Sequence, residues 1–254
     1  MAPANRTRTL SLAGIVGGAF TLSAGAAWAG PPFVTDDPEP VEYKHYETYL
    51  ASEQTGTIGG HNTTNLLEVN YGALPDVQVS VSLPYVINTP AGQTTQSGLG
   101  DVMVGVKYRF MQETDSRPMA AIYPSVITAS GNASKGLGNG GEQIFLPVWL
   151  QKSEGSWHTF GGGGYWINRA PGGASHWYFG LALMNDVTEH LSLGGEGYHA
   201  TDQKPLDNAS NGFNLGGIYT FDKHNRILFS AGRAVVELSS QNSYSTYVAY
   251  SLSW

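Results

Sequence analysis

The sequence predicts an all-β protein, an antiparallel transmembrane β-barrel of about twelve strands in an up-and-down meander. Three observations point there. Apolar and polar residues alternate with period two, as in Val77, Val79, Val81, Leu83 and Tyr85 against Gln78, Ser80 and Ser82; successive strand residues face opposite sides of a sheet. Only 13% of the residues are charged, about half the ~25% of an average soluble domain, whereas glycine numbers 33 and aromatics make up 11%. Beyond the opening segment, no stretch reaches the ~18 consecutive apolar residues of a membrane helix.

The elements follow in chain order. Residues 1–29 read as an export signal. Arg6 and Arg8 precede an uncharged apolar run from Leu10 to Ala27, and Ala27-Trp28-Ala29 fits a small-x-small cleavage site. Residues 30–41 form a lead whose Pro31, Pro32, Pro38 and Pro40 bar it from a central strand. It reads either as a periplasmic tail or as a plug folded into the lumen. Asp36, Asp37 and Glu39, three acids without further metal-ligand spacing, read as a solvated cluster.

Residues 42–254 form the barrel. Alternating segments fall at 42–54, 62–72, 77–87, 99–111, 119–130, 142–151, 157–168, 176–185, 190–199, 212–221, 226–234 and 243–254. Their lengths match a tilted membrane strand of about 9–11 residues. Short turns near 73–76, 112–118, 152–156, 186–189 and 222–225 alternate with mostly longer loops near 55–61, 87–98, 131–141, 169–175, 200–211 and 235–242. Short periplasmic turns opposite long outer loops are the pattern of an outer-membrane barrel. A soluble sandwich also alternates. Here, however, the polar face is built from Ser, Gly, Asn and Gln rather than Lys and Glu. Aromatics such as Tyr71, Tyr85, Tyr108, Phe221 and Trp254 mark strand ends, where interfacial girdles belong. The last strand alternates through Tyr250, Leu252 and Trp254, like the terminal signal read by the barrel assembly machinery.

On this register the polar face lines the lumen, and strand charges become informative. Glu68, Asn70, Gln78, Lys107 and Arg109 point inward toward the periplasmic half. Lys107 or Arg109 is expected to approach Glu68, because two strand spacings separate them by about 10 Å. Glu47 is expected to join them, Asp101 lies nearer the outer rim, and Glu196 sits on the ninth strand. The cluster reads equally as a constriction that filters solutes and as an ion-paired filling that holds a closed barrel. Gly161–Gly164 reads as a bend that relieves curvature, in preference to room for solute or for the lead.

Other chemistry is disfavoured. With no Cys and a net charge of −7, the chain lacks thiolate sites and suits neither disulfides nor nucleic acid. The histidines show no zinc spacing, and no Gly-x-Ser-x-Gly elbow is present. Gly136, Gly138 and Gly141 match a phosphate-loop pattern but lead into a strand rather than a helix. No catalytic, metal or cofactor site is expected. The expected partners are outer-membrane lipid, the assembly machinery and an unidentified small solute.

Several motifs carry a family likeness. They are Pro31-Pro32-Phe33-Val34-Thr35-Asp36-Asp37-Pro38, then Asp76-Val77-Gln78-Val79 leading to Leu83-Pro84-Tyr85. Gly98-Leu99-Gly100-Asp101 follows, with Gly105-Val106-Lys107-Tyr108-Arg109-Phe110 and Tyr123-Pro124-Ser125. Pro147-Val148-Trp149-Leu150-Gln151-Lys152 comes last, ahead of Gly161 to Trp166. In this order they resemble the outer-membrane transporters grouped as the "MetA-pathway of phenol degradation" family. The resemblance implies a Gram-negative outer-membrane barrel that passes small, aromatic or hydrophobic molecules down a gradient. A closed structural or adhesive barrel is the alternative, and a lipid-modifying enzyme the more distant one.

Overall fold

The computed structural model describes residues 32–57, 59–201, 209–236 and 244–254. The export signal expected at 1–29 lies outside them, as do parts of the two loops expected at 200–211 and 235–242.

Period-two alternation produces long antiparallel strands. We number them β1 (Tyr46–Thr57), β2 (Gly60–Leu74), β3 (Val77–Pro90), β4 (Gln96–Leu99 and Met103–Met111) and β5 (Met119–Ile122 and Ser125–Ile127). Then come β6 (Gln143–Glu154), β7 (Trp157–Asn168), β8 (His176–Asp186), β9 (Leu191–Ala200), β10 (Ser210–Thr220), β11 (Asn225–Val236) and β12 (Tyr244–Ser253). Each pairs with its neighbours in sequence, and β1 pairs with β12 from Glu47↔Ser253 to Gly56↔Tyr244. The described residues thus close a twelve-stranded up-and-down barrel. Closure leaves no edge of unpaired N–H and C=O groups, which lipid could not satisfy.

The strands depart from the sequence reading in three places. Most of the loop expected at 55–61 is strand, because the β1–β2 ladder runs on to Thr57↔Gly60. β4 is interrupted at residues 100–102, yet both pieces pair with β3. β5 is interrupted at Tyr123-Pro124, where proline has no N–H for the ladder. Past β5, residues 133–135 make a short 3₁₀ turn capped by Asn132.

The alternating faces separate cleanly. Leu50, Leu67, Leu83, Leu181, Leu215 and Val248 stand exposed on the outer wall, an apolar band that only a membrane can cover. Outward rings gather at the strand ends. Tyr46 stacks on Tyr71 and on Trp254 with ring centroids 4.5 and 5.6 Å apart. Tyr250 and Leu252 share that face with Trp254. Trp254 also exchanges backbone hydrogen bonds with Tyr46, so the end of the chain seals the seam with β1.

The interior is filled rather than hollow. Apolar groups pack it in three places, around Tyr49, Ala51, Leu228 and Ala249, around Phe160, Ala182 and Met184, and around Trp149 and Tyr178. Most of the remaining space near the turn end is taken by the lead.

Candidate functional site

The lead is a plug. From Pro32 to Val41 it crosses the lumen, and Thr35, Asp37, Pro38, Glu39 and Val41 are buried there. Prolines suit this path, because a chain that fixes φ and lacks N–H groups leaves fewer backbone donors to satisfy inside a barrel.

One wall holds its first half. Glu196 on β9 accepts the backbone N–H of Val34 at 2.9 Å and of Thr35 at 2.8 Å, one on each carboxylate oxygen. The Asn214 amide on β10 donates to the same carboxylate at 2.5 Å. Ser230 on β11 donates to the Pro32 carbonyl at 2.6 Å. Phe33 packs on Phe160, Ala182 and Met184. The Thr35 hydroxyl lies 3.3 Å from that of Tyr178, in space left open by Gly180, where a Cβ would overlap Thr35 Oγ1.

The opposite wall holds the second half. Lys107 on β4 is 2% exposed. Its Nζ donates to Asp36 Oδ1 at 3.1 Å, to the Asp37 carbonyl at 2.9 Å and to the Glu39 carbonyl at 3.4 Å. Asp37 Oδ1 lies 3.6 Å away, and the Tyr123 ring centroid 5.2 Å away. Arg109 bridges Glu39 at 2.7 Å and Asp76 in the β2–β3 turn at 2.6 Å. Gln78 accepts the Val41 N–H at 2.8 Å and donates to Asn70 at 3.1 Å and Ser80 at 2.9 Å. Asn70 and Ser82 in turn donate to Glu68, each at 2.9 Å.

These contacts revise the sequence reading. Asp36, Asp37 and Glu39 are lumen ion-pair partners rather than a solvated cluster, and it is they, not Glu68, that take Lys107 and Arg109. Glu68 is held by an amide and a hydroxyl. Glu47 forms its ion pair with buried Arg226 on β11, also touching Ser251 and Ser253 on β12, and so belongs to a separate cluster. Asp101 is a loop staple, accepting the N–H of Gly131 at 2.8 Å and of Asn139 at 2.6 Å. The Gly161–Gly164 run gives close contact rather than a bend alone. A Cβ on Gly164 would meet the Phe145 ring at 2.8 Å, and one on Gly163 the Phe179 ring at 2.5 Å.

Burial sets the electrostatics of the lead. It pushes the Asp37 carboxyl up to about 7, against the attraction of Lys107 and with added repulsion from Asp36 and Glu39. It raises Glu39 as well, opposed mainly by Arg109.

Above the plug the lumen is aromatic. Phe145 stacks on Trp166 with centroids 4.4 Å apart. Trp149 meets Phe145 and Tyr178 edge-on at 6.3 and 6.4 Å, and Tyr178 stacks on Tyr198 at 6.2 Å. This ladder opens into a cavity of about 620 Å³ lined by Asn139, Trp166, His176, Tyr178 and Tyr198, with Val34 of the lead at its floor. From the sequence these rings carry no assigned role, aromatics being placed only at strand ends. The signal that separates them is register, since Phe145 and Trp149 alternate with outward Leu146, Val148 and Leu150.

The family model described as "Putative MetA-pathway of phenol degradation" matches residues 46–247. A comparison with curated proteins finds no match. Among solved structures, the chain is similar to an outer membrane channel from Pseudomonas putida F1, with 12% identity and a TM-score of 0.71 over 86% of this chain and 98% of that one. It is similar to the NanC porin, with 10% identity and a TM-score of 0.57 over 82% and 98%. A KdgM porin bound to oligogalacturonate matches with 12% identity and a TM-score of 0.54 over 82% and 99%. At these identities the likeness is one of fold, that of outer-membrane barrels.

Proposed function

The chain belongs to the family described as "putative MetA-pathway of phenol degradation", and on that footing we propose that it is a passive outer-membrane channel for small aromatic or apolar molecules, held shut at rest by its own lead. The observation that carries this reading is the aromatic ladder, which runs from the loop-end cavity to the top of the plug. Stacked and edge-on rings offer an aromatic solute the same contacts they make with one another, each worth about 0.5–1.5 kcal/mol beyond area burial. Asn139, Gln143, Asn168 and His176 around the cavity supply polar groups that orient such a solute. With loops outside and turns inside, the plug sits at the periplasmic end.

The test is uptake across a solute panel. Cells with the protein should take up phenol-sized aromatics faster than cells without it, and show no gain for sugars. Protein that folds, as judged by heat-modifiable gel migration, yet speeds no solute would favour a closed structural barrel. The many hydrogen bonds that anchor the lead are the observation on that side.

A further inference from the structure

Glu47, Glu68, Glu196 and the acids of the lead all have partners supplied by the protein. Glu53 on β1 makes no hydrogen bond or ion pair among the described residues. We propose that Glu53 and the aromatic ladder together form a binding site for a protonated aromatic amine in the loop-side half of the lumen, the ammonium group resting on Glu53 and the ring on Tyr198. The inference rests on the channel reading above and names the class of solute.

Register puts Glu53 inside. It follows Tyr49 and Ala51 on the inward face of β1, both buried, whereas Leu50 between them is exposed to lipid. Its neighbours across the two ladders are Thr64 on β2 and Tyr247 on β12. The packing around Tyr49, Ala51, Leu228 and Ala249 separates it from the Glu47–Arg226 pair at the turn end. Glu53 itself is exposed, so it faces open lumen. Its charge bears on the hydroxyls of Tyr198 and Tyr247. Tyr198 lines the loop-end cavity and stacks on Tyr178, so the carboxylate and the ladder share one chamber.

Among the described residues, no strand cation is left for it. Lys107 and Arg109 hold the lead, and Arg226 holds Glu47. Lys152 pairs with Glu113 at the turn end, and Arg233 lies across the ladder from lipid-exposed Phe213 on the outer face. A fixed carboxylate between walls of low dielectric therefore takes its counter-ion from the passing solutes and raises the local concentration of cations. The electron-rich faces of Tyr and Trp attract the same sign of charge. A solute that joins a ring to an ammonium group satisfies both walls at once. A neutral ring uses only the ladder, and an aromatic carboxylate is repelled by Glu53.

Calorimetric titration of the folded protein, lead in place, tests this with three probes: benzylammonium, benzyl alcohol and benzoate. Benzylammonium should bind at least roughly tenfold more tightly than benzyl alcohol, the low end of the enrichment a charged cleft gives, and benzoate should bind least. Glu53→Gln breaks no contact among the described residues and should abolish the preference, whereas Glu53→Lys should transfer it to benzoate. Equal affinity for the amine and the alcohol, or a preference that survives Glu53→Gln, would overturn the site. Uptake by cells separates this from the channel reading. A gain for benzyl alcohol with none for benzylammonium would overturn the amine site and leave the channel intact. A gain for neither, with the calorimetric preference present, would overturn the channel reading while the site stands.

Discussion

Replacing Lys107 with Met keeps the length of the side chain and removes the cation that gathers the second half of the lead. In the wild type Nζ lies 3.1 Å from Asp36 Oδ1 and 3.6 Å from Asp37 Oδ1. It also donates to two backbone carbonyls of the lead. Lys107 is 2% and Asp37 6% exposed, so solvent screens the pair little. Removing one partner of such a buried pair costs about 3–5 kcal/mol, because the other charge stays desolvated, which shifts the docked-to-released ratio of the lead by roughly 100- to 4,000-fold. In planar bilayers, Lys107→Met should spend far more time in a conducting state than the wild type. The same side chain predicts a rescue. Asp37→Asn removes the stranded carboxylate, so the double variant should close more often than Lys107→Met alone, the mark of energetic coupling between contacting residues. A Lys107→Met protein that folds normally and conducts no more than wild type would refute the reading that this cation holds the plug.

Three further expectations concern the same lumen. Because burial lifts Asp37 to about 7 from its usual 3.8, the docked lead holds its proton more tightly than the released one. The stabilisation that Asp37 lends to docking is therefore fully present below about pH 4 and is lost as pH rises through 7. Conductance recorded from pH 5 to pH 8 should climb, and Asp37→Asn should flatten the climb; opening on acidification would contradict it. Gly180→Val places methyl groups where Thr35 now sits, so it should loosen the first half of the lead, read as faster protease cleavage near Thr35. Arg226→Met breaks the buried pair with Glu47 at a cost of about 3–5 kcal/mol. It should lower the temperature at which the folded band shifts on a semi-native gel, with Glu47→Gln expected to restore part of the loss.

The barrel was legible because lipid and lumen impose period two on almost every strand, so the segments around Val77, Val102 and Tyr244 announced themselves. The interruptions were less legible. Pro124 breaks β5 while its ladder with β6 keeps register, whereas across Gly100–Val102 the pairing of β4 with β3 slips by one residue, from Tyr85↔Leu99 to Ser82↔Met103; alternation alone reports neither. The docking of the lead was the hardest to read. Asp36 and Asp37 find Lys107 about 70 positions away, and Val34 and Thr35 find Glu196 about 160 away. Nothing in the spacing of three acids among prolines distinguishes a solvated cluster from a clamp. Arg226 was legible in principle. It begins a strand whose inward positions include Leu228 and Ser230, and an arginine on that register has to meet a carboxylate somewhere in the lumen.

The pairing of the first strand with the last governs how the molecule comes into being. Glu47 and the hydroxyl of Ser253 touch across 206 positions of sequence, so this contact forms only when the twelfth strand is in place. This one long-range seam closes last, because distant partners are the slowest to meet, and until it does the sheet retains two raw edges that lipid cannot satisfy. The lead touches β3 and β4 on one flank and β8, β9 and β11 on the other, linking the two halves of the sheet that must curl toward each other. The stopper of the finished pore is then also a tie that draws the cylinder together during its making. Deleting it should slow biogenesis even where the completed barrel remains sound.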